Sequence, residues 1–383
     1  MNFGLAQKPE GKYLSEFTTI HASETNYQDP VRPDQERVLT SHFPFIVQRG
    51  ELSVQVPALT DLIARTQMPD GRIPWSPGEK TDPWDHVEAA MGLTIGGRYR
   101  RARRAFQWLK TQQLADGSWY AAYGRDRVLD HTRETNHAAY LATGLYHYYK
   151  ITGDLDFVSQ MWPAVRDAVA FVLGLQAPGG EIYWAVNPQG RPDPMALLTG
   201  CSSICFSLKC AQALARLLGR EEPGWQGALK RLQDCIAHKP QHFNMTKSRF
   251  SMDWFYPVLC GSITGAEAQA RIDKYWKKFV IQNMGVRCVS DQPWVTIAES
   301  CELVIALAAM GNYLLARIVF GWICDHTFED HTFWCGFTFP DMVLWPEEKI
   351  TWTNAVVLMA ADALYDLTPA GRMFSHEFGK IWP

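Results

Sequence analysis

LVIALAAM, residues 303–310, has no polar side, and the reading of the fold starts there. A helix that is apolar all round is buried all round. VVLMAADAL, residues 356–364, is of nearly the same kind. RARRAFQWLKTQQ, residues 101–113, is the opposite: Ala102, Phe106 and Leu109 share one face and arginines occupy another. The two kinds alternate along the chain. Apolar helices are expected over 85–96, 134–150, 197–218, 251–260, 296–310 and 351–364. Amphipathic ones are expected over 51–66, 98–114, 155–176, 222–238, 264–282 and 312–327. The buried set recurs every 45 to 65 residues or so, one helical hairpin at a time. Six such hairpins make an all-α, (α/α)6 toroid: six inner helices in a ring, six outer ones around them.

Sheet is expected only in short connections. QMPDGRIPW (67–75), QQLADGSWY (112–120) and QAPGGEIYW (176–184) echo one another, each with a glutamine at a helix end and a glycine turn, and each is read as a small β-hairpin. Residues 1–50, with Pro30, Pro33 and Pro44, are read as an arm packing on a toroid of residues 51–383.

Composition narrows the function. Among 383 residues, 37 basic and 40 acidic ones leave a formal charge of −3, so no electrostatic footprint for nucleic acid or an anionic membrane exists. No run of about 18 apolar residues is present, so no membrane insertion is expected. Nine cysteines without CxxC pairs read as reduced thiols of a cytoplasmic protein, with no metal site and no cofactor expected. Fifteen tryptophans are many, and several stand at segment ends outside the apolar stripes, as walls of a substrate cleft would.

In a toroid the leading ends of the inner helices open on one face. The six junctions read TDPWDHVEAA (81–90), DHTRETNHAAY (130–140), PDPMALLTGCSS (192–203), KSRFSMDWFYP (247–257), SDQPWVTIAESCE (290–302) and LWPEEKITWTN (344–354). Each gathers acidic, hydroxyl or aromatic residues before an apolar run, the pattern of a sugar site. Helix capping competes with that reading: Asp82 is a cap with Pro83 behind it, and Thr296 with Glu299 has the spacing of a capping box.

PEEKITWTNAVVLMAADAL (346–364) resembles a signature of the glucoamylase-type family 15 glycoside hydrolases. The resemblance implies an (α/α)6 toroid, a catalytic base at Glu347, with Glu348 beside it, and a glycan or small glycoside as substrate. PWDHVEAA is similar to an early segment of that family, which implies hydroxyl contacts at Asp85. RETNHAAYLATG is loosely similar to another, which implies contacts at Arg133 and Asn136. The family's general-acid segment falls on DPMALLTGCSS, where Asp193 matches the leading Asp but Ala196 and Leu197 stand in place of the Glu pair.

Hydrolysis needs a carboxylic acid and a carboxylate flanking the scissile bond. Asp193 and Glu134 are the leading candidates for the acid, with Glu181 and Asp253 behind them. His86, Trp84, Asp253 and Glu299 join the expected substrate contacts, and Trp294 and Trp345 are expected to stack on sugar rings. RRAFQWLKTQQLADGSWY (103–120) also resembles the QW repeat of squalene cyclases, which implies a toroid as well and leaves isoprenoid chemistry as an alternative. A non-catalytic sugar-binding relative or a lyase is the third reading.

Overall fold

The computed structural model describes residues 54–378, so the arm read over 1–50 lies outside the described residues. Twelve α-helices are present among them. The outer ones are α1 (Val56–Thr66), α3 (Tyr99–Gln112), α5 (Leu155–Gly174), α7 (Trp225–His238), α9 (Gly265–Phe279) and α11 (Tyr313–Ile323). The inner ones are α2 (Pro83–Ile95), α4 (Thr135–Thr152), α6 (Leu198–Leu217), α8 (Ser251–Leu259), α10 (Ile297–Ala309) and α12 (Thr351–Tyr365). Each inner helix packs on the next, and α12 packs back on α2, which closes the ring. The expected spans hold to within a few residues, the last turn of α9 included only as far as Phe279. That helix stops there because Val280 and Ile281 pair with Val286 and Gly285 instead.

The apolar inner helices are buried as their composition requires. Every residue of α10 and nearly every one of α12 is buried. One residue from each inner helix meets around the ring axis: Glu88, Tyr140, Phe206, Tyr256, Glu302 and Met359. The hollow they leave is ≈ 10 Å³, about the room of one water molecule.

The three echoing turns do one job. Gln67, Gln113 and Gln176 each donate from Nε2 to the carbonyl of the glycine four residues on, Gly71, Gly117 and Gly180, at 2.9, 3.0 and 3.0 Å. The same nitrogens also donate to the next outer helix, at the carbonyls of Arg101, Ala164 and Ala228. All three glycines have positive φ, at 104°, 87° and 106°, and a Cβ on any of them would fall on a backbone carbonyl of that neighbouring helix. So the repeat is a staple between successive outer helices, with glycine required by both dihedral and space. It is not a β-hairpin, as the sequence suggested: only the third turn carries so much as an isolated bridge, Gln176 to Ile182. Gly117→Ala is expected to destabilise the fold by about 3 kcal/mol, from αL strain plus overpacking. Urea unfolding checks it, and an unchanged midpoint contradicts the staple.

Among the described residues, nine short strands form three sheets around the helix connections. Strands β1 (Ala122–Tyr123) and β2 (Val128–Asp130) pair with each other. Strands β3 (Arg133–Glu134), β4 (Ala185–Val186) and β5 (Pro192–Asp193) join the heads of α4 and α6. Strands β6 (Val280–Ile281), β7 (Gly285–Arg287), β8 (Trp294–Thr296) and β9 (Gly336–Thr338) border the heads of α10 and α12. The ring is stitched shut at Thr351, whose N–H and hydroxyl both donate at 2.8 Å, to the carbonyls of Trp75 and Pro74.

Candidate active site

The heads of α2 and α4 border an open cleft of ≈ 270 Å³, lined by Trp75, Lys80, Asp82, Trp84, Asp85 and Glu134 among others. Its floor begins with a cap. Asp82 Oδ1 accepts the Asp85 N–H at 2.9 Å, as an N-cap should, and Oδ2 accepts the Trp75 indole N–H at 2.7 Å. Pro83 occupies the first turn, where its missing N–H costs nothing. The cap therefore also fixes the indole of Trp75, over whose ring the Lys80 ammonium lies at 4.0 Å.

The capping reading and the functional one thus share α2. Asp82 caps, and the Asp85 carboxyl is left for chemistry. Scarce water around it pushes the Asp85 pKa well above the usual carboxylate range; the charges of Asp82 and Glu88 and a hydrogen bond to Asp82 add to the shift, and Lys80 opposes it. Burial and the acidic neighbours therefore both favour its protonated form.

At the head of α10, separated from α2 by α12, the capping box read at Thr296 and Glu299 is not formed. Thr296 makes no side-chain cap bond, and Glu299, 8% exposed, has a buried Oε2 with no partner. Two groups tie its carboxylate to the acids of α2. Glu88 experiences the charges of both Asp82 and Glu299. The Cys335 thiol experiences those of Glu299, Asp85 and Glu348 together. Asp85 lines the cleft, whereas Glu299, at the head of α10, and Glu348, before α12, are not among its lining residues.

One turn deeper lies a second acidic layer that the sequence reading missed. Asp82, Asp85 and Glu88 follow one another at intervals of three along α2, as Glu299 and Glu302 do on α10, so each set runs down one helix face. Glu88 Oε1 accepts from the Trp84 indole at 2.7 Å and from the Tyr140 hydroxyl at 3.2 Å. Glu302 Oε1 accepts from the Tyr256 hydroxyl at 2.6 Å. Burial pushes the Glu88 pKa up to about 8 and that of Glu302 well above its ordinary range. The signal was available: acids at i and i+3 inside helices otherwise free of charge.

Other expected site residues fall in and out of this constellation. Trp84 and Glu134 line the cleft, with Glu134 Oε2 3.6 Å from His137 Nε2. Glu134 heads α4 without capping it. Asn136 is buried beside it. Arg133 turns away to pair with Asp116.

His86 is a correction: one residue beyond Asp85 on the helix, it points at α3. It accepts from the Ile73 N–H at 3.1 Å and bonds the Ala105 carbonyl at 2.9 Å, and burial lowers its pKa to about 4. Asp253 is a second correction. Its Oδ1 accepts from the Thr199 hydroxyl at 2.6 Å and N–H at 3.2 Å, serving the first turn of α6. Asp193 sits in β5, where it accepts from the Met195 N–H at 3.2 Å and does not line the cleft. Glu181 pairs with His242 at 2.9 Å, near Cys235, and also stands apart from the cleft. Glu347 is exposed on the loop before α12. Trp294 and Trp345 pack edge to face with centroids 5.2 Å apart, and the Trp294 indole donates to the Trp345 carbonyl at 2.9 Å, so they form one aromatic unit.

A toroid with carboxyls at the heads of its inner helices is the construction of a glycoside hydrolase, and this chain is one. It belongs to the family of the MMP endo-(1,4)-3-O-methyl-alpha-D-mannosidase of Mycolicibacterium hassiacum, to which it is 47% identical over 312 residues, covering 82% of this chain and 86% of the relative. No family model matches the chain. Among solved structures, the family 63 mannosylglycerate hydrolase of Thermus thermophilus, bound to Tris and D-glycerate, superposes with a TM-score of 0.62 at 12% identity over 79% of this chain and 98% of that one. A glycosidase variant in complex with glucose gives 0.63 at 16% identity, over 82% and 96%. These structures share the toroid fold of this chain. No helix of the described residues is long and apolar enough to cross a membrane.

Proposed function

We propose that the chain is an endo-acting α-mannosidase that cuts a 1,4-linked, 3-O-methylated mannan, with Asp85 as general acid and Glu299 as general base. The substrate follows from the 47% identical relative. The observation that supports the residue roles is the Asp85 carboxyl: it sits in the cleft with its pKa pushed well above the usual carboxylate range by burial and by its acidic neighbours, while Glu299 is nearly buried at the head of α10. In this scheme the Asp85 proton passes to the departing glycosidic oxygen. Water attacks the anomeric carbon and gives its proton to Glu299, so both carboxyls end with charges exchanged.

Trp75 and Trp84 offer indole surface to the sugar, and Glu134 and Lys80 offer polar contacts. Of the finer glucoamylase-like reading we retain Glu348, exposed like Glu347 on the loop before α12, as a second candidate for the base. A cytoplasmic setting, read from nine cysteines without CxxC pairs, is part of this proposal.

Incubation with 1,4-linked 3-O-methyl-α-mannan is expected to give oligosaccharides of intermediate length at early times. Release of monosaccharide alone contradicts the endo reading, and no cleavage contradicts the substrate. Because the Asp82 charge raises the Asp85 pKa, Asp82→Asn lowers it. The alkaline limb of the rate profile then moves to lower pH, on the order of one unit. A limb that stays in place or moves up removes Asp85 from the acid role.

A further inference from the structure

Glu134 borders the cleft on one side and a smaller hollow on the other. That hollow lies between the heads of α4 and α6, walled by Asn136, Ile182, Trp184, Gly200 and Cys201. Its volume is ≈ 20 Å³, the room of one hydroxyl-sized group. The wall is fixed: the Thr135 hydroxyl donates to the carbonyls of Tyr183 and Trp184 at 2.9 and 3.0 Å, and the Cys201 thiol donates to the Ile182 carbonyl at 3.4 Å.

Two features of the hollow have no structural purpose. First, Asn136 is 5% exposed, yet neither its Oδ1 nor its Nδ2 has a protein partner, and the buried Trp184 indole N–H has none either. Each such group costs about 1–3 kcal/mol if left unpaired, and leucine and phenylalanine would have filled the same space without that cost. Second, Gly200 stands in the first turn of α6 with no backbone demand for glycine. A Cβ there would rest 3.8 Å from the Asn136 Cβ and 3.7 Å from the Leu197 Cβ, in ordinary contact. Glycine inside a helix is worse than alanine by about 1 kcal/mol. What it preserves here is the room in front of Asn136.

We infer that this hollow is a side pocket of the sugar cleft that receives one hydroxyl or hydroxymethyl arm of the mannoside, bonded by the Asn136 amide and the Trp184 N–H and kept open by Gly200. The inference rests on the cleft being the sugar site. An amide offers both a donor and an acceptor and the indole a second donor, so a hydroxyl is matched and a methoxy group, which has no proton to give, is not. Sites built on such buried polar groups discriminate strongly against a ligand that leaves them unpaired. The pocket thus reads which positions of the glycan are free of methyl groups.

Gly200→Ala tests this, because its two readouts should move in different directions. With 1,4-linked 3-O-methyl-α-mannan oligosaccharides as the probe, Kd from calorimetry and KM are expected to rise about tenfold or more. Tm should be equal or higher, since alanine favours the helix. Asn136→Leu should weaken binding likewise without loss of Tm. Unchanged Kd and KM in Gly200→Ala overturn the pocket while leaving the hydrolase reading intact. A wild type that binds the probe without cutting it ends the hydrolase reading for that glycan, and the variants' Kd then decides the pocket alone. A wild type that neither binds nor cuts overturns the pocket as a mannoside subsite.

Discussion

Glu299→Gln is expected to lower turnover of the mannan by about 10³-fold while leaving its Kd within about twofold of wild type. The amide keeps the shape and one acceptor of the carboxylate, so a bound sugar loses little. It cannot take a proton from the attacking water, so the transition state loses most of what Glu299 supplies. The side chain performs no capping that the change would break, since Thr296 and Glu299 form no capping box. A variant that keeps its turnover shows that the base lies elsewhere, and Glu348, which shares the electrostatic surroundings of Cys335, becomes the residue to change next.

The second large effect is on stability. The Glu88 carboxyl is held up at about 8 against an ordinary 4.5. Below pH 4.5 it is protonated in folded and unfolded chains alike, and its contribution is fully present. As pH rises from there toward 8, the unfolded chain ionises at this position while the folded one keeps its proton, so the folded state loses ground. The loss is at most about 1.4 kcal/mol per pH unit. Glu88→Gln abolishes this dependence and still offers an oxygen to the Trp84 and Tyr140 donors. The variant should match wild type near pH 4.5 and exceed it at pH 8 by on the order of 3 kcal/mol in urea unfolding. A difference that does not grow with pH would mean that Glu88 is ionised in the fold, with a cation or water that the Trp84 and Tyr140 bonds do not account for.

Most of the architecture was legible because a toroid writes itself as two kinds of helix, and burial on all sides leaves no polar face to confuse the period. The head of each inner helix was legible for the same reason, and Asp85, Trp84, Glu134 and Glu299 stand at such heads. Rotation about the helix axis was harder to read. His86 follows Asp85 by one residue and so turns about 100° away, toward α3; adjacency in sequence made it look like a site residue. Asp253 stands at the head of α8 as Asp85 does at the head of α2, but it faces the first turn of α6 and its oxygen is used there. Glu347 precedes its helix, in a loop with no period to place it. Glu88 and Glu302 were visible as acids three residues beyond Asp85 and Glu299 in apolar helices. The capping preference at helix heads drew attention one turn too early. The hairpins expected at Gln67, Gln113 and Gln176 failed because a side-chain amide, rather than a strand partner, satisfies the turn carbonyls.

The leaving-group dependence of Asp85→Asn tests the assignment of acid and base most directly. The comparison sets the natural 1,4-linked methylmannan oligosaccharide against the 2,4-dinitrophenyl glycoside of the same oligosaccharide, whose phenolate departs without a proton. With Asp85 as the acid, the variant loses about 10³-fold or more in kcat/KM on the natural linkage and little on the dinitrophenyl glycoside. Equal losses on both substrates would contradict it and move the proton donor to another carboxyl of the cleft.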